Sequence, residues 1–349
     1  MKNLKITSIN TFIVLMLSVL LFSCNNEDQS NSSLTPVITS VAASDYDANG
    51  VPTELTPVTQ GFANNVYIIR GTGLGSVEKI YINGVDTYFN PTLVTDTDIF
   101  VTIDINTPYA NASNEIKVIT KTGTVVFPFI VAPPAPQFKS YNPINPAAGD
   151  VVTIYGDFFL NPIVKIGGIT VPVLSSTLTE IKFNAPSNIQ NKYVSVTTIS
   201  GTNTASQAIG SACYDDALQG STAQWDWGPF PKDQNYTEDV YQGKQCWKMG
   251  FNGWGGYEVV FDGKSLTQYK SFRIALKGNK DGQLKLVFNG DNGGWSYQIL
   301  MPVTTQWAVV EVPFKDIGNP TNLNKLTFQE AGNFGGNVIL MDDWGFILK

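Results

Sequence analysis

The chain has 349 residues, a formal charge of −7, 15% charged residues and no His. The missing imidazole excludes Ser-His-Asp and Cys-His catalysis and any His-ligated zinc or iron site, and the acidic balance argues against a nucleic-acid partner, which needs a basic stripe. A charged share well below the usual value of roughly one quarter, with abundant Gly, Thr, Asn, Val and Ile, points to two or three β-rich extracellular modules.

The first predicted element, residues 1–23, is an address. Lys2 and Lys5 precede an apolar run from Phe12 to Phe22, broken only by Ser18. Such a run is too short to span a bilayer and suits a signal-peptide core. It ends in Leu21-Phe22-Ser23-Cys24, and a small residue before Cys at this place resembles a bacterial lipobox. The resemblance implies cleavage before Cys24, lipidation of its thiol and anchoring in a membrane. The alternative is an ordinary signal peptide with an incidental Cys. Asn25-Asn26-Glu27-Asp28 resembles the surface-export signal of Bacteroidetes lipoproteins, which implies an outer-membrane protein facing the exterior. Residues 24–35 lack apolar periodicity and read as a flexible tether.

From Pro36 to about Ser206 the chain reads as short β-branched strands separated by turns, without capped helical periodicity. The pattern occurs twice, about 80 residues apart. Val66 to Gly71 matches Val151 to Gly156, Ile80 to Gly84 matches Val164 to Gly168, Thr95 to Ile99 matches Ser176 to Ile181, and Ile116 to Gly123 matches Val194 to Gly201. That offset is too long for a solenoid unit and suits tandem β-sandwiches. The second copy, residues 133–210, resembles the immunoglobulin-like IPT/TIG family. The resemblance rests on Asn142-Pro143, Pro146 to Asp150, Val152 to Gly156, Val164 to Gly168 and Phe183 to Pro186. The first copy, residues 36–132, departs from it in a long opening loop, Ser44 to Gly61, and in lacking the Gly-Gly turn. Pro133-Pro134-Ala135-Pro136 between them reads as a stiff hinge. With no basic patch and no aromatic cluster, both modules read as spacers.

Residues 211–349 have a different texture. All seven Trp of the chain lie between Trp225 and Trp344. Strands are predicted at Tyr257 to Phe261, Ser271 to Leu276, Leu284 to Phe288, Tyr297 to Pro302, Trp307 to Val312 and Val338 to Met341, which suits an antiparallel jelly roll. Trp307, Trp247 and Trp344 read as core. Trp225 and Trp227, two apart, share one face if extended. Trp254 and Trp295 sit in Gly/Asn-rich loops, where strands do not cover them. An exposed indole covers the apolar face of a pyranose, and neighbouring amides and carboxylates satisfy its hydroxyls. Asn252, Asn292, Tyr297, Gln298 and Gln329 are the accompanying candidates.

This stretch resembles carbohydrate-binding modules of the galactose-binding-like jelly-roll type. The features are the Tyr214-Asp215-Asp216 opening, Trp225 to Gly228, Gly253 to Gly256, Gln306 to Pro313 and the closing Asp342-Asp343 strand. The resemblance implies a structural calcium at Asp215, Asp216 and Asp342, the alternative being solvated or turn-capping carboxylates; no other cofactor is implied. Cys213 and Cys246 either pair, closing a loop that would contribute roughly 3–4 kcal/mol, or stay as two buried thiols. The expected fold class is thus all-β: two tandem immunoglobulin-like (IPT/TIG) β-sandwiches followed by a jelly-roll β-sandwich.

The whole layout resembles the surface glycan-binding proteins encoded beside TonB-dependent transporters in Bacteroidetes polysaccharide-utilisation loci. That implies capture of a polysaccharide for a neighbouring glycanase and transporter complex. Indoles with an uncharged rim, and Arg273 as the only Arg of the domain, favour a neutral β-glucan such as laminarin, mixed-linkage glucan or xyloglucan. Two alternatives are an adhesin that binds a protein and a glycoside hydrolase. The hydrolase needs two carboxylates across a cleft. Asp226, Asp233, Glu238, Asp239, Glu258, Asp291 and Glu330 are present, but no spacing singles out a pair.

Overall fold

The computed structural model describes residues 34–44, 55–228, 231–289, 298–332 and 335–349. Cys24 lies outside them. The chain divides into two compact units, one ending at Pro133 and the other running from Pro134 to Lys349.

The first unit contains β1 (Val37–Ala43), β2 (Gln60–Phe62), β3 (Val66–Thr72), β4 (Val77–Ile82), β5 (Val85–Asp86), β6 (Phe89–Val94), β7 (Asp98–Thr102), β8 (Glu115–Thr120), β9 (Gly123–Pro128) and β10 (Ile130–Ala132). Two four-stranded sheets run in the orders β1-β3-β7-β6 and β5-β4-β8-β9, with β10 paired to β2. The second unit opens with β11 (Gln137–Asn142), β12 (Val151–Asp157), β13 (Ile163–Ile166), β14 (Ile169–Val171), β15 (Val173–Ser176), β16 (Glu180–Asn184), β17 (Tyr193–Thr198) and β18 (Gly201–Ala208). Its orders are β11-β12-β16-β15 and β14-β13-β17-β18.

The sequence repeat is therefore a repeat of strand order. Matching positions Ile69 and Ile154, Ile80 and Val164, Ile99 and Ile181, and Val118 and Val196 are all fully buried. Matching glycines do the same work. A Cβ on Gly71 would stand 1.8 Å from the Val37 carbonyl oxygen, and one on Gly156 1.9 Å from that of Gln137. Each opening strand bulges there, between Ile38 and Ser40 and between Phe138 and Ser140, so its backbone lies against the next strand where only glycine fits.

The rest of the second unit comprises β19 (Tyr214–Asp215), β20 (Ala217–Leu218), β21 (Ser221–Trp227), β22 (Lys232–Tyr236), β23 (Cys246–Phe251), β24 (Gly256–Ser265), β25 (Tyr269–Gly278), β26 (Gly282–Phe288), β27 (Gln298–Val303), β28 (Ala308–Pro313), β29 (Asn322–Glu330) and β30 (Asn337–Leu348). β19 pairs with β20, and the other ten form two five-stranded sheets, β21-β24-β29-β26-β27 and β22-β23-β30-β25-β28. The pattern of predicted strands did not include β29, the middle strand of the first sheet.

Between the sheets lies an aromatic core. Trp247 meets Trp344 edge-on at 5.5 Å between ring centroids, and Tyr214 stacks on Trp344 at 6.0 Å. Truncating such a buried Trp costs about 3–5 kcal/mol. Trp307 does not belong to this core. In β28 Val312 is buried and Val309 is exposed, so even-numbered positions face inward and Trp307 falls on the outer face. There its indole N–H donates to Asp239 Oδ1 at 2.8 Å and its ring leans on Tyr241 at 5.8 Å. Lys277 holds the other oxygen of Asp239 at 2.6 Å. Trp307 pins a loop rather than filling the interior.

The second sandwich and the jelly roll meet directly. Ala212 bridges to Gly345 in β30. The Asp215 carboxylate accepts N–H bonds from Ile144 and Asn145 and from the Asn142 side chain. Those three donors belong to the end of β11 and the turn that follows it, so one buried carboxylate ties two domains together.

Candidate functional site

The functional candidates gather on the side of the first jelly-roll sheet that faces away from the core. Directly paired residues of neighbouring strands project to the same face. One row runs Trp227–Gly256–Gln329–Lys285–Leu300 across β21, β24, β29, β26 and β27. The next runs Trp225–Glu258–Thr327–Val287–Gln298. Alternate residues, among them Tyr257, Val259, Leu326, Phe328 and Leu286, fill the core behind them.

Three indoles stand at one end of this face: Trp225 is 63% exposed, Trp227 36% and Trp254 47%. Trp225 and Trp227 come from edge strand β21. Trp254 comes from the turn Asn252 to Gly255, closed by a bond from Gly255 N to Asn252 O of 2.8 Å. Its backbone is left-handed, φ 56°, a conformation that disfavours bulky residues. Both backbone groups of Trp254 are held by side chains. Its N–H donates to Glu330 Oε2 at 3.0 Å. Its carbonyl accepts from Trp227 Nε1 at 3.0 Å and from Gln329 Nε2 at 3.1 Å. Lys285 Nζ donates to Gln329 Oε1 at 3.3 Å and lies 5.3 Å from the centre of the Trp254 ring, within cation–π range.

Gly256 makes room for the second indole. A Cβ at this position would stand 2.1 Å from Cζ2 of Trp227, so Trp227 lies over bare backbone. Beyond the indoles the floor is polar and internally paired. Lys325 meets Glu258 at 3.5 Å, and Thr327 Oγ1 donates to Glu258 Oε2 at 3.1 Å. The rim is not uncharged, as the sequence suggested, but each of these charges has a protein partner. Asp226, on the other side of edge strand β21, is paired with Lys232.

The structure thus brings Trp225, Trp227, Trp254 and Gln329 onto one face. Gln298 shares that face at the opposite edge, four strand spacings or about 19 Å from β21. Asn252 is exposed at the start of the Trp254 turn. Trp295, Tyr297 and Asn292 lie outside the described residues. Sequence reasoning missed Lys285, Lys325, Thr327 and the part played by Gly256, and it placed Glu258 and Glu330 among carboxylates without a role.

The other sequence candidates resolve differently. Cys213 and Cys246 are not paired; both are buried thiols. Cys213 lies in the core, whereas Cys246 precedes core residue Trp247 and by strand alternation points to the opposite face. There it contacts the Asp239 carbonyl at 3.4 Å. Burial pushes the Cys213 thiol up to about 11 and that of Cys246 up to about 12.

The three carboxylates of the calcium expectation each meet N–H donors. Asp215 faces the turn after β11. Asp216 Oδ1 accepts from Lys244 N at 2.6 Å and Gln245 N at 3.0 Å, and Asp342 Oδ2 accepts from Tyr241 N at 3.0 Å. The donors to Asp216 and Asp342 come from one loop, residues 241–245, and those to Asp215 from the second sandwich. Among the described residues no group of three acidic, His or Cys side chains is placed to hold a metal ion. Burial, outweighing these hydrogen bonds, raises Asp215 to about 6, and it raises the neighbouring Asp342 and Asp343 as well.

Fold and site define a class: an all-β chain of tandem immunoglobulin-like sandwiches ending in a jelly roll with an indole-bearing sheet face. Comparison with known proteins agrees with that class. Residues 213–349 match the family described as the expansin-like protein C-terminal domain. An IPT/TIG domain-containing protein of Bacteroides ovatus is 29% identical over 145 residues, which is 39% of this chain and 27% of that relative. The chain therefore spans about a quarter of the length of the curated relative it matches. The crystal structure of surface glycan-binding protein PbSGBP-B from Prevotella bryantii shares the fold at TM-score 0.53 and 16% identity, covering 90% of this chain and 99% of that one. SGBP-B from a complex xyloglucan utilization locus in Bacteroides uniformis is 14% identical, with 90% and 100% coverage, at a TM-score of 0.38, too low to show a shared overall fold.

Proposed function

We propose that this chain binds a neutral polysaccharide through the indole face of its jelly roll. The observation that carries the reading is the convergence of Trp225, Trp227 and Trp254, all solvent-exposed, beside a polar floor of Lys285, Glu258 and Lys325. Flat indoles cover the CH faces of successive sugars, and the floor offers donors and acceptors to the hydroxyl rim. Strands about 4.8 Å apart set these polar groups at a spacing close to the length of one sugar residue. The shared fold with a surface glycan-binding protein supports the same reading.

The finer assignment is a β-glucan such as laminarin, mixed-linkage glucan or xyloglucan. On this reading the chain is a binder and not an enzyme. The carboxylates nearest the indoles support that: Glu258 is engaged by Lys325 and Thr327, Glu330 by the Trp254 N–H, and Asp226 by Lys232. Lipidation at Cys24 would hold the protein on the outer face of the outer membrane. The two sandwiches would carry the site outward, and a TonB-dependent transporter complex with its glycanase would receive the glycan.

Two or three stacking contacts correspond to a Kd between roughly micromolar and millimolar, about −8 to −4 kcal/mol. Affinity electrophoresis in gels containing each neutral β-glucan tests the proposal. Wild type is retarded, and Trp254→Ala runs free at an unchanged Tm. Equal retardation of both proteins removes Trp254 from the site. Absence of any retardation across a broad panel removes the function.

A further inference from the structure

We propose that Gln329 and Glu330 are positioning residues of the glycan site, which clamp Trp254 in its left-handed conformation from opposite sides of the sheet. This rests on the glycan-binding reading above. The two residues are consecutive on β29, so their side chains leave the strand in opposite directions. Glu330, from the core side, takes the Trp254 N–H at 3.0 Å, while its own N–H donates to the Gly255 carbonyl at 2.9 Å. Gln329, from the ligand side, donates to the Trp254 carbonyl at 3.1 Å. One strand thus holds the turn through both peptide groups of its indole-bearing residue.

The arrangement reassigns Gln329. It is only 6% exposed. Its amide nitrogen is used by Trp254 and its amide oxygen by Lys285. A side chain engaged at both ends and withdrawn from the surface does not read a sugar hydroxyl; it links Lys285 to the indole above it. Glu330 is likewise 6% exposed. A carboxylate there needs an N–H directed at it, and the Trp254 amide supplies one. The Trp254 carbonyl in turn receives the Trp227 indole N–H. A change at Glu330 therefore reaches Trp227 as well, without Glu330 touching the glycan.

The test uses the intact protein with 15N-labelled Trp and three variants: Glu330→Ala, Glu330→Gln and Gln329→Ala. Glu330→Ala removes the acceptor, whereas Glu330→Gln keeps an oxygen for the Trp254 N–H. NMR reads the Trp254 amide and the Trp227 indole N–H, with the buried indoles of Trp247 and Trp344 as a control for core integrity. The expected result is displacement of the Trp254 and Trp227 signals in Glu330→Ala, their return in Glu330→Gln, and unmoved control signals throughout. Retention in a mixed-linkage glucan gel falls about tenfold or more in Glu330→Ala, as expected for loss of one charge-assisted hydrogen bond, and recovers in Glu330→Gln. Gln329→Ala weakens retention while leaving the Trp254 amide bonded.

Trp254 and Trp227 signals that stay in place in Glu330→Ala overturn the proposal. So does loss of the Trp254 amide signal and all three indole signals that Glu330→Gln fails to restore, which marks Glu330 as a general folding residue. If wild type binds no polysaccharide, the glycan reading falls, and the NMR comparison still decides whether Glu330 positions the indoles.

Discussion

Replacing Gly256 by Ala separates the indole site from the fold that carries it. Gly256 has no positive φ, so Ala fits the backbone, and at such a position it gains about 0.4–1 kcal/mol over Gly through the unfolded chain. The added Cβ, however, stands 2.1, 2.5 and 2.6 Å from three carbons of the Trp227 ring. Ordinary contact needs about 3.5–4.0 Å, so the ring must move by more than an ångström. That displacement breaks the 3.0 Å bond from Trp227 Nε1 to the Trp254 carbonyl, a loss of about 1 kcal/mol. The two effects nearly cancel in stability, and Tm should change little. Binding does not cancel, because one of the stacking surfaces has left its place. Affinity for a soluble β-glucan should fall about tenfold, the equivalent of about 1.4 kcal/mol. Titration calorimetry and thermal melting on the same samples provide the assay. Unchanged affinity at unchanged Tm would refute the claim that Trp227 must lie over Gly256 for the site to work.

Four further outcomes follow from the geometry. Trp225 makes no bond to the Trp254 turn and is the most exposed of the three indoles; Trp225→Ala should weaken glucan binding less than Trp254→Ala in parallel titrations. A reducing agent should leave Tm unchanged, because Cys213 and Cys246 are unpaired; a disulfide there would reveal itself by losing about 3–4 kcal/mol on reduction. A chelator should also leave Tm unchanged, since N–H donors occupy Asp215, Asp216 and Asp342. The folded state holds Asp215 at about 6, above the ordinary aspartate value of 3.8, so between those pH values the folded chain binds more protons than the unfolded one. Stability therefore falls as pH rises from about 4 to about 6, by on the order of 3 kcal/mol from this group. Asp215→Asn should flatten that part of a denaturant midpoint–pH profile.

The architecture was legible because its signals are local and repeated. The paired runs Val66 to Gly71 and Val151 to Gly156 became equivalent strands with equivalent glycines. The indole at Trp254 was legible because Gly and Asn around it left nothing to cover it, and those at Trp225 and Trp227 because two residues apart on a strand share one face. The floor between them was not. Its middle strand β29 begins Asn322-Leu323-Asn324-Lys325, which carries turn-forming polar residues and no clean alternation. Lys285, Thr327 and Glu330 acquire a role only through a strand order that is not the chain order. Trp307 failed for a narrower reason. An alternating strand gives two phases, and a shift of one residue sends an indole from the core to the outside. The same alternation separates the two readings of the cysteines, since adjacent Cys246 and Trp247 face opposite ways and Cys246 turns away from core residue Cys213. No spacing in sequence reveals that backbone N–H groups of the second sandwich meet Asp215, or that those of residues 241–245 meet Asp216 and Asp342.

Titration of the intact protein with a soluble mixed-linkage glucan, beside a Trp227→Ala/Trp254→Ala double variant, bears most directly on the proposed function. Wild type should bind with a Kd in the micromolar to millimolar range, and the double variant should give no measurable heat at an unchanged Tm. Wild-type silence toward this glucan, laminarin and xyloglucan alike, or equal binding by the double variant, would contradict the assignment of the indole face as a glycan site.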